Sequence, residues 1–517
     1  MRPLRTRALF AALAALALVG CAMLPKHIDR PVSMARADTR DTTLGRLIAP
    51  AAAAHAPQSG FVLYNTGEGA IQARVALAEV AQATIDAQYF EWAGDDIGRA
   101  LLARVIAAAD RGVRVRLLID DYNTKGHDLA FEALAAHPNI SVRVFNPFAR
   151  GRLRFSQFIG RFTEINHRMH NKMFVVDGQA AVVGGRNLTN DYFGLGRTLD
   201  FRDFDLLAIG AVVADTEAAF DKYWNSQWAY PIGALRKPPS YAELARELGR
   251  FHARVEADRA TFPYALPRDP AEPLAWIEQL RGQVIWAPAE VVYDDPSVMA
   301  RPLHDQITLV ARRFMALVDA AKEQVVAENA YLIPHDDLTM LRSLRARGVE
   351  VQILTNSLAS NDVVLVNAAY SKTRPAIARL GAALYEMKPW AASRELYVAH
   401  STRSHAKLAL HGKAAVFDRE TVFLGSFNLD PRSMYLDTEA VFVVHSPALA
   451  AELLAAFAVD FEPQNAWRIG RVAGKKKGAA WITEEPGSVV VEPHDPASVW
   501  RRMLRSIARL LPIGKYV

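Results

Sequence analysis

Apolar residues recur along most of the chain at one of two periods, and stretches of each alternate. From Phe61 onward, residues 68–82 (EGAIQARVALAEVAQ) carry apolar positions at helical spacing, and ATIDAQYF after them reads as a strand. DDIGRALLARVIAAADRG predicts a helix ending at Gly112, VRVRLLIDD a strand, DLAFEALAAHP a helix and ISVRVFNP a third strand. Strand-helix-strand order with short connections predicts parallel pairing with right-handed crossovers. The order then returns. VIWAPAEVVYDD around 284–295 opens a second run, ITLVARRFMALVDAAKE is its helix, and EQVVAENAYLI matches ATIDAQYF. LTMLRSLRARGVEVQILTN repeats the helix and strand around Arg111, with Arg347 in the corresponding place 236 residues later. An offset held over a whole half predicts duplicated domains packed about a pseudo-twofold axis.

The remaining segments break this rhythm. Arg2, Arg5 and Arg7 precede an apolar run from Ala8 to Val19, which is a secretory leader and too short for an ordinary membrane span. The run ends in Leu18-Val19-Gly20-Cys21, and Cys21 is the only cysteine, so it has no disulfide partner within the chain. Residues 22–60, rich in alanine and proline, predict a tether without a packed element. The first domain then spans 61–230, a charged and proline-rich linker region 231–280, and the second domain 281–470. In the extension 471–517, SVWRRMLRSIARLLPIGKYV places apolar positions 500, 503, 504, 507, 510 and 511 on one helical face. Arg501, Arg502, Arg505 and Arg509 fall mostly on the other. Two readings fit that helix: one lying in an anionic membrane interface, and one packed on the second domain.

Composition narrows the function classes. The chain is 51% hydrophobic, enough for a large core at this length. Its formal charge of +6 includes the three leader arginines, and the mild remainder argues against nucleic acid as a partner. No later run of 18 apolar residues occurs.

The chemistry lies in one frame present twice. Residues 170–187 read HNKMFVVDGQAAVVGGRN and residues 411–428 read HGKAAVFDRETVFLGSFN, with the histidines 241 residues apart. Each copy is His-x-Lys, an Asp after four more residues, and an Asn closing a Gly-Gly or Gly-Ser turn. His170 and Lys172, like His411 and Lys413, share a strand face, and Asp177 and Asp418 follow at the turn into a second apolar run. An imidazole, an ammonium, an Asn amide and a glycine-lined approach together suit a phosphate group. The two lysines already supply positive charge, and no zinc-like spacing of His, Asp and Glu is present, so neither a metal nor another cofactor is expected. His405-Ala406-Lys407 imitates a motif start but lacks the Asp and the Asn in frame. His167 falls three before His170 and is expected at the entrance or in a structural role.

This duplicated motif resembles that of the phospholipase D superfamily. DAQYFEW, RGVRVRLLIDD, NPF, RMHNK, LTNSLASNDVVLVNAAY and GSFNLDPRS are similar to the bacterial cardiolipin synthases, over roughly residues 60–515. The resemblance implies an α/β fold of two phospholipase D-like domains, with mixed, mostly parallel sheets flanked by helices and the active site at their interface. It implies His170 as nucleophile and His411 as general acid/base, with Lys172, Lys413, Asn187 and Asn428 on the phosphoryl oxygens. Gly185 and Ser426 belong to the same phosphate-binding turns, and the Ser426 hydroxyl has no counterpart in the first copy. Asp177 and Asp418 are counted with the catalytic set, although fixing the turn is their stronger expectation. Glu439 and Asp203 are the expected orienting carboxylates, and Leu-x-Gly-Cys resembles a lipoprotein box that would leave Cys21 lipidated. The implied activity is phosphatidyl transfer making cardiolipin from phosphatidylglycerol with phosphatidylglycerol or phosphatidylethanolamine, in a lipoprotein of the bacterial envelope facing the periplasm. Phospholipid hydrolysis, a nuclease, and a non-catalytic lipid-binding lipoprotein are the alternatives.

Overall fold

The computed structural model describes residues 24–25, 27–151, 154–267, 271–334, 338–399, 406–471, 479–485 and 487–511. The leader with Cys21, His405 of the imitation motif, and the last six residues lie outside them. Two large sheets form, with nearly the same strand order. The first runs Ile285–Ala287, Ser59–Tyr64, Asp205–Gly210, Ala180–Gly184, Met173–Val176, Thr84–Tyr89, Arg114–Asp120, Ile140–Phe145 and Ala229–Pro231. The second runs Ala289–Tyr293, Ala440–His445, Thr421–Gly425, Lys413–Phe417, Gln324–Asn329, Glu350–Asn356, Ala383–Met387, Ala466–Arg471, Ala479–Glu485 and Ser488–Glu492. Aligned at the motif strands, eight positions correspond one to one. The duplication read from the sequence is therefore structural.

Local chemistry sets the element ends. The side chains of Thr66, Asp95 and Thr308 each accept a backbone N–H from the first turn of their helices. Gly112 and Gly348 close the matched helices with φ of 97° and 79°, a conformation that strains any residue with a Cβ. Between the motif strands the chain turns through Asp177 and Gly178 in one half and Asp418 and Arg419 in the other, all with positive φ.

The sheets face each other across a central apolar cluster that includes Phe61, Phe204, Val416, Leu424 and Phe442. Phe61 meets Phe442 edge-on at 5.8 Å, and Phe204 meets Phe457 at 5.4 Å. Separate clusters lie between each sheet and its outer helices. That core joins the halves, and the chain itself is stitched across them. Ile285–Ala287 pairs with Ser59–Phe61 of the first sheet, and Ala289–Tyr293 pairs with Ala440–Val444 of the second, on either side of Pro288.

Several expectations are corrected. Parallel pairing is confined to two ladders in each sheet, Thr84–Tyr89 to Arg114–Asp120 to Ile140–Phe145 and their counterparts, so the sheets are mixed but mostly antiparallel. The motif hairpins and the edge strands supply the rest, and hydrophobic period does not encode strand direction. The stretch 22–60 is not a loose tether. Thr43–His55 is a helix capped by Thr42, and Leu24 packs on the first core. Arg116 and Arg143 donate to the carbonyls of Ser33 and Pro31, strapping this segment to the domain. The region 231–280 contains two helices, Tyr241–Arg259 and Ala271–Arg281, that lie on the first domain. The 281 boundary falls before a strand of the first sheet, and residues after 470 continue the second sheet.

The C-terminal helix, Val499–Ala508, packs on Val364–Arg379 with its arginines turned inward. Arg501 donates to the carbonyls of Leu358 and Asn361, and Arg505 pairs with buried Asp495. Its apolar face is left outside, with Trp500 62% and Ile507 55% exposed.

Candidate active site

Each motif histidine is delivered to the interface by backbone pairing with the opposite half. The N–H of His170 donates to the Thr438 carbonyl at 2.9 Å, and the N–H of Thr438 donates to the Arg168 carbonyl. On the other side, Leu199–Arg202 and Lys407–Leu410 form a two-stranded parallel ladder between the halves. Its end places the N–H groups of His411 and Gly412 on the Arg202 carbonyl at 2.7 and 2.9 Å. Lys407 of the imitation motif therefore begins the strand that carries His411.

The orienting carboxylates are crossed. His170 Nδ1 lies 2.9 Å from Oε2 of Glu439, in the second half, and His411 Nδ1 lies 2.7 Å from Oδ2 of Asp203, in the first. A carboxylate on Nδ1 selects the tautomer with its proton there, leaving the Nε2 lone pair directed into the site. Glu439 is further fixed at 2.6 Å by the Ser433 hydroxyl, whose oxygen also accepts the Asn428 N–H.

Burial dominates the electrostatics. Both histidines are held well below their usual range, first by desolvation and then by the two lysine ammoniums. The same desolvation lowers Lys172 to about 7 and Lys413 to about 8, and raises Glu439 to about 8. Asp203 is raised for the same reason. Burial strips the lysine ammoniums of hydration, a loss that a bound anion would offset. Lys172 and Lys413 donate to the carbonyls of their own histidines at 2.6 and 2.7 Å, which fixes them beside the rings. The buried Oδ1 atoms of Asn187 and Asn428 have no hydrogen-bond partner among the described residues. Nor do those residues form a cluster of three or more His, Cys, Asp or Glu suited to a metal ion.

Other residues from the sequence reading lie elsewhere. Asp177 accepts the N–H groups of Gln82, Ala83 and Thr84, and Asp418 accepts those of Lys322, Glu323 and Gln324. Both brace the start of a central strand and are not among the reacting groups. Ser426 and Gly185 stand beside the orienting carboxylates Glu439 and Asp203. The Ser426 hydroxyl accepts from the Ala440 N–H, and a Cβ on Gly185 would fall 2.2 Å from Asp203 Oδ1. His167 is buried, with ring nitrogens 2.6 and 3.0 Å from the carbonyls of Leu436 and Arg301.

Two site residues were not anticipated, and they occupy one repeat position. Tyr192 stands five residues after Asn187, as Ser433 stands five after Asn428. The Tyr192 hydroxyl lies 3.2 Å from His411 Nε2, with its ring edge-on to the imidazole at 4.7 Å. Extending the motif alignment five residues would have revealed the pair. Phe90, in the quoted DAQYFEW, packs edge-on to His170 at 5.3 Å and stacks on half-exposed Tyr122.

Comparison with known proteins agrees with this geometry. The family model described as "Cardiolipin synthase, PLD-like domain" matches residues 75–224 and again 314–461, one match per half. Cardiolipin synthase C of Escherichia coli (strain K12) is 34% identical over 477 residues, covering 91% of this chain and 98% of the relative. Cardiolipin synthase B of the same strain is 25% identical over 366 residues, 71% of each chain. The crystal structure of phosphatidylserine synthase from Haemophilus influenzae Rd KW20 superposes with a TM-score of 0.58 at 14% identity, over 91% of this chain and 99% of that one, a likeness of fold. Two matched halves, each completing the other's histidine, and a relative spanned almost end to end place the chain in the cardiolipin synthase family of phospholipase D-like enzymes.

Proposed function

We propose that the protein transfers a phosphatidyl group between phospholipids, making cardiolipin from phosphatidylglycerol with a second phosphatidylglycerol or with phosphatidylethanolamine. The observation that carries this is the crossed pair of histidine–carboxylate contacts around two buried lysines. His170 Nε2 makes no hydrogen bond among the described residues, whereas His411 Nε2 has the Tyr192 hydroxyl within reach. That difference supports His170 as nucleophile. Its Nε2 attacks phosphorus, the bond from phosphorus to the headgroup oxygen breaks, and His411, which carries a second proton on Nε2 in the complex with the phosphodiester anion, gives that proton to the leaving oxygen. Lys172 and Lys413 hold the charge that builds on the equatorial oxygens. The headgroup alcohol then leaves. A hydroxyl of the accepting phosphatidylglycerol loses its proton to His411 and displaces His170 from phosphorus, so both histidines return to their starting state.

Phospholipid substrates require a membrane-facing surface. Among the described residues no helix is long and apolar enough to cross a bilayer. The exposed face of Val499–Ala508, with Trp500, Met503 and Ile507 outward, supports interfacial docking, and the leader with Cys21 supports lipid anchoring in the bacterial envelope.

The test is purified protein in mixed phosphatidylglycerol and phosphatidylethanolamine vesicles, with products resolved by mass. Cardiolipin is expected from wild type and from neither His170→Ala nor His411→Ala. Phosphatidic acid without cardiolipin would assign the hydrolase reading instead, and the absence of any lipid product would overturn both.

A further inference from the structure

The two halves differ most in what covers the outer face of the sheet beside the motif. In the first half Trp92 follows the Thr84–Tyr89 strand, and its indole N–H donates to the Gly98 carbonyl at 3.0 Å. Ile97 and Leu101, in the opening turns of the Asp96–Asp110 helix, are fully buried beyond it. Leu332 holds the matching place in the second half. The backbone bridges agree, Trp92 to Leu188 and Leu332 to Leu429, each partner following its motif asparagine. From that residue to the matched helix-closing glycine the second half is four residues shorter, and its helix, Thr339–Ala346, has eight residues against fifteen.

A cavity of about 270 Å³ lies between the second sheet and its outer helices. Natural interiors hold few voids larger than a water molecule, and a dry cavity of ~150 Å³ already admits benzene. No lining residue is charged, and only Thr339 and Tyr435 bring a hydroxyl. Half-buried Ile307, Met315, Met340 and Met434 leave one side open to solvent. A cleft of about 520 Å³ in the first half is lined by Trp92 and other apolar groups but also by Asp95, Arg99, Glu247 and Arg254, so it has a different character.

The cavity also shares a wall with the reaction centre. Leu429, Pro431 and Met434 line it, while Ser433 in the same turn accepts the Asn428 N–H and donates to the carboxylate that orients His170. We infer that this cavity takes one acyl chain of the phospholipid whose phosphate lies between the histidines. Because the turn leads from the motif asparagine into the cavity wall, a lipid held there has its tail and its phosphodiester registered by one short segment. The inference rests on the phospholipid reading above. It adds that the second half selects the tail, a task the first half, whose cleft carries charged groups, does not share.

The test uses phosphatidylglycerol bearing a photoreactive diazirine in one acyl chain, in vesicles with the full-length His170→Ala protein, which binds without turnover. Label is expected on peptides containing 329–344 or 429–435. Separately, Leu332→Trp in the otherwise native protein should lower the ratio of rates on long-chain to dihexanoyl phosphatidylglycerol about tenfold. Should Leu332→Trp fail to fold, Ala327→Leu narrows the same cavity from the sheet side. Label confined to outer surfaces, or an unchanged chain-length ratio in a folded variant, would overturn the cavity assignment even if wild type makes cardiolipin. Labelled cavity peptides with no turnover of any phospholipid by wild type would instead remove the transferase reading and leave a lipid-binding site.

Discussion

At the scale of single residues, burial decides both charge and role. Lys172 and Lys413 are held at about 7 and about 8, so each loses its proton far earlier than an exposed lysine. A phosphodiester anion binds the protonated form. We therefore expect kcat/KM to fall as pH rises through 7 to 8, well below the ordinary lysine value of 10.5, in a pH profile with saturating acceptor. Glu439→Gln keeps the shape beside His170 Nδ1 but cannot ionise as that imidazole gains positive charge at phosphorus, and should cost roughly a hundredfold or more in kcat with KM little changed. Asp177→Ala should behave in the opposite way. It strands three backbone N–H groups, lowering stability by about 2 kcal/mol in a denaturant melt while the folded fraction keeps its turnover. The sequence showed which residues gather at the site, because the motif is local. It could not show that His170 uses Glu439 and His411 uses Asp203, since those partners are 269 and 208 positions apart.

At the scale of elements, periodicity identified the central strands and the helices between them, and capping residues and glycines marked their ends. It failed where charge or alanine content masked a helix, although Leu244, Leu248, Phe251 and Val255 recur at helical spacing in Tyr241–Arg259. Tyr241–Arg259 has no buried residue, and Thr43–His55 hides in an alanine-rich stretch with Pro50 inside it. The C-terminal helix was legible as amphipathic, but not in its orientation. Buried Asp495 and the carbonyls of Leu358 and Asn361 draw its arginines inward, against the usual preference for apolar faces. Trp500→Glu together with Ile507→Glu should therefore weaken co-sedimentation with anionic vesicles several-fold. Turnover of a water-soluble phosphodiester should not change, because neither side chain approaches the histidines.

At the scale of the whole molecule, we expect that the halves do not act apart. Each contributes the carboxylate that readies the other's histidine, and each covers the other's share of the central cluster around Phe61, Phe204 and Phe442. Residues 27–287 and 288–511 produced separately should be inactive, and activity on mixing should rise with co-elution of the two pieces in size-exclusion chromatography. The strap at the N-terminus bears on geography. Leu24 already packs on the first domain, so only three peptide units separate it from Cys21, a reach of ~10 Å at full extension. With an acyl anchor on that cysteine, the enzyme has no leash on which to roam. Under that anchor we expect it to stay close to the leaflet that holds it and to draw its lipids from that one pool, with a bilayer across an aqueous gap out of range.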